Sequence, residues 1–220
     1  MSGATSARPR AALKSPTARR VIIAAAVVVV LVLLALGTKV VSNNSSIAKG
    51  DAGFSPQTYG KTEFPKVQKQ IEERAVPAET LAAAIAQDQT AAGKKYGVPG
   101  TTGPVMSVSL TGVVSGKAED GVYPVTVPGV PSKLVIRVQT GPAINGTDLR
   151  DATGKITFGQ FTNQIDYQNA GSALNQQMKK DVLSGVDTAH LQGKTIDLVG
   201  AFTLINPEGW LITPAKLDVK

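Results

Sequence analysis

Two stretches of this chain hold most of the side chains that can do chemistry. Residues 145–151 (NGTDLRD) bring Asn145, Thr147, Asp148, Arg150 and Asp151 within seven positions. A guanidinium such as that of Arg150 grips a carboxylate or phosphate through two parallel N–H bonds, and Asp148 or Asp151 can accept from sugar hydroxyls. Further on, Asn163 and Gln164 offer two amides, each both donor and acceptor, to a polar ligand. Both stretches also have a structural reading. Thr147 or Asp148 can cap a turn, Arg150 can pair with a nearby acid, and the amides can satisfy backbone groups where the chain enters a helix.

Other chemistries are excluded or weak. The chain has no cysteine, which removes disulfides, thiolate metal sites, a thiol nucleophile and a thioether-linked lipid. His190 is the one histidine, and with Asp187 three residues before it gives only the start of a metal site, so no metal and no cofactor are expected. Glu72-Glu73 and Glu119-Asp120 are neighbours on polar elements, whereas general acid–base work needs opposed carboxylates in a pocket. No G-x-S-x-G, phosphate-binding loop or dinucleotide fingerprint occurs, and a non-enzymatic protein is expected.

The formal charge of +7 raises the question of nucleic acid, and its distribution answers it. Residues 1–20 hold Arg8, Arg10, Lys14, Arg19 and Arg20 and no acid, whereas 40–220 hold 17 basic against 16 acidic residues. The excess belongs to the tail, so no nucleic-acid partner is expected. Residues 21–37 (VIIAAAVVVVLVLLALG) then run 17 positions without a polar side chain. Counted to residue 41, with Lys39 snorkelling to the interface, the segment spans roughly 30 Å at about 1.5 Å per residue, one bilayer core. Cations on one flank orient it with the tail in the cytoplasm and the remainder outside. A cleaved secretory signal is the rival reading, but the apolar stretch exceeds the usual ~7–15 residues. Both readings export the rest of the chain. The expected organisation is a cytoplasmic basic tail over 1–20, a transmembrane signal anchor over 21–41, a linker rich in Ser, Asn and Gly over 42–60, and an extracytoplasmic domain over 61–220.

Periodicity supplies the elements that must position the polar stretches. Helices are predicted over 66–75, ended by Pro77, and over 78–96, with Lys94 and Lys95 in the last turn and Gly97 as cap. Strands follow over 105–114, 122–127 and 133–138, then a polar loop over 141–155 and a short ambiguous segment over 156–161. Asp166 is the predicted N-cap of a helix to residue 183, with Ala170, Leu174, Met178 and Val182 recurring every four residues and Gly171 marking a close packing contact. Strands over 194–204 and 210–219, joined by INPEG, finish the chain, with Trp210 as a core anchor. Three strands, a helix and two strands is the layout of a five-stranded, partly open OB-type barrel, so an α+β fold with N-terminal helices is expected.

GPAINGTDLRD (141–151), ITFGQFTNQIDYQNAGSALN (156–175) and AAGKKYG (91–97) resemble the bacterial exported lipoproteins of the domain-of-unknown-function family 2291, from about residue 50 onward. The resemblance implies a periplasmic or cell-surface protein of no established activity, often encoded beside sugar-type ABC transporter components. One departure is informative: a lipoprotein needs a cysteine just after its apolar signal, and here Gly37 is followed by Thr38. An uncleaved helix then takes the place of the lipid.

The reading that results is a membrane-anchored accessory module that binds a small polar ligand or ABC transporter components through Thr147, Asp148, Arg150, Asp151, Asn163 and Gln164. A carbohydrate-acting hydrolase and a structural envelope protein are the alternatives. On the binding reading, Arg150→Ala weakens an interaction more than it lowers the melting temperature; a large melting loss with binding unchanged points to the structural reading.

Overall fold

A computed structural model of the protein describes Arg20, Ile23, residues 25–30 and residues 53–220. The chain divides into two compact units, Met1–Ala48 and Lys49–Lys220. In the first, the described residues are helical, and the side chains of Ile23 and of the valines at 27–30 are more than half exposed. Among the described residues no helix is long and apolar enough to cross a membrane. Most of the expected 1–20 tail and 21–41 anchor, with the start of the 42–60 linker, lies outside them.

The second unit is built on five strands: β1 (Val105–Val114), β2 (Val122–Thr126), β3 (Val135–Gln139), β4 (Thr195–Thr203) and β5 (Gly209–Val219). They pair in the order β1-β2-β3-β5-β4 and back to β1. All neighbours are antiparallel except β3 and β5, which run parallel from Val135↔Gly209 to Val138↔Ile212. The ring is closed, not partly open. Closure comes from the long β1–β4 ladder, continuous from Val105↔Thr203 to Val113↔Thr195, which leaves no gap between first and fourth strands. The interior is packed with side chains: Met106, Val108, Ile136, Ile196, Phe202 and Ile212 are buried, and Trp210 stacks on Phe202 at 4.7 Å. The third strand begins two residues later than the predicted 133, because Pro131 closes a turn by accepting from the Leu134 N–H.

Helices cover the barrel: α1 (Pro56–Arg74), α2 (Ala78–Gln87), α3 (Gln89–Tyr96), the single turn α4 (Asp148–Asp151) and α5 (Gln164–Met178). The first starts ten residues before the predicted 66 and takes the last part of the expected linker. Ser55 caps it, Pro56 sits where a missing N–H costs nothing, and Gly60, Phe64, Val67 and Ile71 form its buried stripe. The predicted 78–96 helix is two helices, because Asp88 adopts an extended conformation and its side chain accepts from the Ala91 N–H at 2.9 Å, starting a new helix. The cap of α5 is Asn163, not Asp166; Asp166 lies in the first turn and its N–H is the donor to that cap. Residues 179–183 continue it as a π turn. Ahead of α5, the ambiguous 156–161 segment forms a 3-10 turn at Phe158–Gln160.

Helices α1 and α5 pack on each other, and the close approach is at Gly60, where an added Cβ would lie 2.6 Å from the Ala173 carbonyl oxygen. Gly171, expected to mark a close packing contact, leaves ordinary room: its Cβ would meet Arg150 and Thr147 at 3.8 Å. Gly171→Ala is therefore expected to raise unfolding free energy by about 0.5–1 kcal/mol through helix propensity. Gly60→Ala, forced against backbone, is expected to lower it by about 1–2 kcal/mol. Urea unfolding of the two variants checks both signs.

Candidate functional site

Residues 148–151 of the 145–151 stretch fold as the turn α4, and Asp148 and Arg150 are turned into the protein. Asp148 Oδ1 accepts from Thr203 Oγ1 at 2.7 Å on β4, and Oδ2 accepts from Thr213 Oγ1 at 3.0 Å on β5. Thr213 in turn accepts from Gln139 Nε2 at the end of β3. One carboxylate thereby ties the loop to three barrel strands. Burial pushes its pKa above the ordinary carboxyl value and the charge of Asp151 adds to this, against the opposing effect of the two threonine bonds.

Arg150, 8% exposed, is engaged on every nitrogen. Nε and Nη2 fork onto the two oxygens of Asp151 at 2.7 and 3.2 Å, and Nη1 donates to the Tyr167 carbonyl at 3.2 Å. Its guanidinium lies 3.8 Å from the centre of the Tyr167 ring. Thr147 Oγ1 donates to Asp151 at 2.7 Å, so Thr147, Arg150 and Asp151 form one network that docks on α5. At the mouth of that helix Asn163 accepts from the Asp166 N–H and donates to Asp166 Oδ2 at 3.0 Å. Gln164 is exposed on the first turn. The six predicted residues therefore do not converge on one cavity: Asp148 points to the barrel, Thr147, Arg150 and Asp151 to each other, Asn163 to Asp166, and Gln164 to solvent.

A cavity does lie beside them. Helix α1, the residues just before it and the 153–162 loop enclose a groove of about 560 Å³. Phe54, Tyr59 and Phe161 form an aromatic wall, with ring centres 5.3–5.8 Å apart, and Phe161 continues the stack to Tyr167 at 5.5 Å. Glu63 and Lys66, paired at 2.7 Å, line one side, and Lys155 and Gln160 come from the loop. Asp166 belongs to the lining too; it is 1% exposed, and its Oδ1 has no hydrogen-bond partner among the described residues. The Tyr59 hydroxyl is pushed up to a pKa of about 12, by burial first and the charge of Glu63 second, so it remains a donor at any physiological pH.

Composition carried a signal for this groove. Phe54, Tyr59, Phe158, Phe161 and Tyr167 are half of the aromatic side chains of a chain with Trp 1, Tyr 4 and Phe 5, and they meet in one cluster. Reading 42–60 as linker hid two of them. The buried oxygen of Asp166 had no sequence signal, since a carboxylate in a first helical turn is ordinary.

Two measurements follow. The raised pKa means the folded protein holds a proton on Asp148 more tightly than the unfolded chain does. Its stabilising contribution is full below the unfolded pKa and is lost as pH rises through the folded one. Asp148→Asn removes this dependence while its amide still fits two hydroxyls, so wild type should gain stability relative to the variant as pH falls from neutral toward the ordinary carboxyl value, read by unfolding at each pH. Arg150→Ala, which breaks a buried pair and a ring contact, should cost about 2–4 kcal/mol in the same assay.

The model of a family described as predicted periplasmic lipoprotein (DUF2291) matches residues 27–218. Comparison with the curated proteins finds no match. Among solved structures, the crystal structure of an OB-fold protein from Thermotoga maritima is similar at 20% identity, with a TM-score of 0.62 over 76% of this chain and 99% of that one. At that identity the likeness speaks for the fold alone, and it agrees with the strand order of the ring. Since the family match runs through α1, the groove and all five strands, this chain belongs to the DUF2291 family of predicted periplasmic lipoproteins.

Proposed function

We propose that the protein is an extracytoplasmic module, held to the cell membrane by the 21–41 helix with its N terminus in the cytoplasm, that binds a small ligand and does not catalyse. The observation that carries the binding reading is the groove beside α1, where an aromatic wall meets a buried carboxylate oxygen in want of a donor. The candidate residues at 147–151 and 163 serve that groove by fixing α5 and the loop that line it. Against a hydrolase stands the placement of the acids. Asp148, the acid with the raised pKa, has both oxygens bonded to threonines and does not line the groove, and Glu63 is paired with Lys66.

The family description supports a place outside the cytoplasm and at a membrane. The apolar 21–37 run and the one-sided cations support a helical anchor where the 220 residues offer no cysteine. Service to a sugar-type ABC importer rests on the family resemblance. The anchor is tested in cells: the full chain should pellet with membranes, stay there through high-salt washing, and lose its C-terminal domain to protease added outside. Protection of that domain, or recovery of the chain in the soluble fraction, contradicts the anchor. The importer role predicts that a transporter subunit raises the melting temperature, because a partner that binds only the folded state must stabilise it.

A further inference from the structure

We infer that the groove between α1 and the 153–162 loop takes a neutral, hydroxyl-bearing ring, of the class of sugars and cyclic polyols, with one hydroxyl donating to Asp166 Oδ1 and an apolar face against Phe161 and Tyr59. The inference rests on the groove being a binding site and adds the chemistry of its occupant.

The first argument is the valence of Asp166. Its Oδ2 receives the Asn163 amide at 3.0 Å and its backbone N–H is taken by Asn163 Oδ1 at 2.9 Å, while Oδ1 is buried without a partner among the described residues. A buried acceptor left unpaired is destabilising, and an occupant that brings an O–H or N–H removes that cost. The second is the Tyr59 hydroxyl, a half-buried donor in the same groove. An acceptor and a donor in one groove suit a ligand group that both donates and accepts, as a hydroxyl does.

The third argument is charge. The groove is lined by two carboxylates, Glu63 and Asp166, and two ammonium groups, Lys66 and Lys155, with Glu63 and Lys66 already paired. The aromatic wall alone would suit an organic cation. Such a cation would meet two lysines, and an anion would meet two carboxylates. A neutral molecule enters at no Coulomb cost. The fourth is shape and size. Ring faces accept the C–H face of a cyclic polyol, and about 560 Å³ falls within the usual range of small-molecule pockets, roughly 300–1,000 Å³.

The test uses the full chain in detergent micelles, with calorimetry and thermal shift against aldohexoses, aldopentoses and inositols, and against choline and glucose 6-phosphate as charged probes. A neutral probe should bind and raise the melting temperature, and the charged probes should not. Tyr59→Phe, which keeps the ring and the fold, should weaken binding about fivefold to tenfold, and Asp166→Asn about tenfold or more. Binding of choline or glucose 6-phosphate in place of the neutral set, sensitive to Tyr59→Phe, overturns the ligand class and leaves the groove a binding site. Silence from all probes overturns both readings, as does neutral binding indifferent to Tyr59→Phe.

Discussion

The arrangement of the outer layer depends on one buried carboxylate. Asp148 sits at the start of a single helical turn and is held by hydroxyls from β4 and β5, the strands that complete the ring. An isolated four-residue turn has no stability of its own, since nucleating a helix costs more than one hydrogen bond returns. The turn persists because the barrel supplies fixed donors to its first residue. Once Asp148 is fixed, Arg150 two residues on faces α5, and its bond to the Tyr167 carbonyl ties the turn to that helix. The barrel thus determines the position of a helix it does not adjoin in sequence.

That dependence explains why the groove lies where it does. The barrel interior is filled by Trp210, Phe202, Met106 and their neighbours, so a ligand has no room inside it. Space of ligand size opens instead at the surface, and where the helical layer overhangs the loop between α4 and α5 one wall of it is the first turn of α5. The polar residues that look most like a binding site in the sequence are the ones that hold this wall in position. Burial of their charges is tolerable because each is paired: carboxylate to hydroxyls, guanidinium to carboxylate, carbonyl and ring.

The strands were legible, and for a stated reason. Their apolar alternation is interrupted by few competing signals, so β1 has the predicted bounds, β2 and β4 lie within one residue of them at each end, and β5 begins one residue early. Helix boundaries were less so. Asp88 reads as one polar residue in an amphipathic run until its side chain is seen capping Ala91, and Ser55-Pro56 is a helix start inside a stretch whose composition reads as linker. The chemistry was legible in kind but not in place. Thr147, Asp148, Arg150 and Asp151 interact strongly, as their types require, yet whether a charged side chain meets a ligand or a strand end is decided by contacts 50 or more residues away, such as Asp148 with Thr203 and Thr213.

An extracytoplasmic, membrane-associated protein, as the family description implies, needs an anchor. A lipid on a cysteine and an apolar helix solve one physical problem, keeping an exported domain at a membrane. They differ in kind, since a lipid holds by the hydrocarbon of its acyl chains, more firmly with two than with one, whereas a spanning helix is inserted effectively irreversibly. This chain has no cysteine and does have a 17-residue apolar run behind five cations. The ring closes on itself through the β1–β4 ladder, so the barrel needs no particular anchor to complete its pairing.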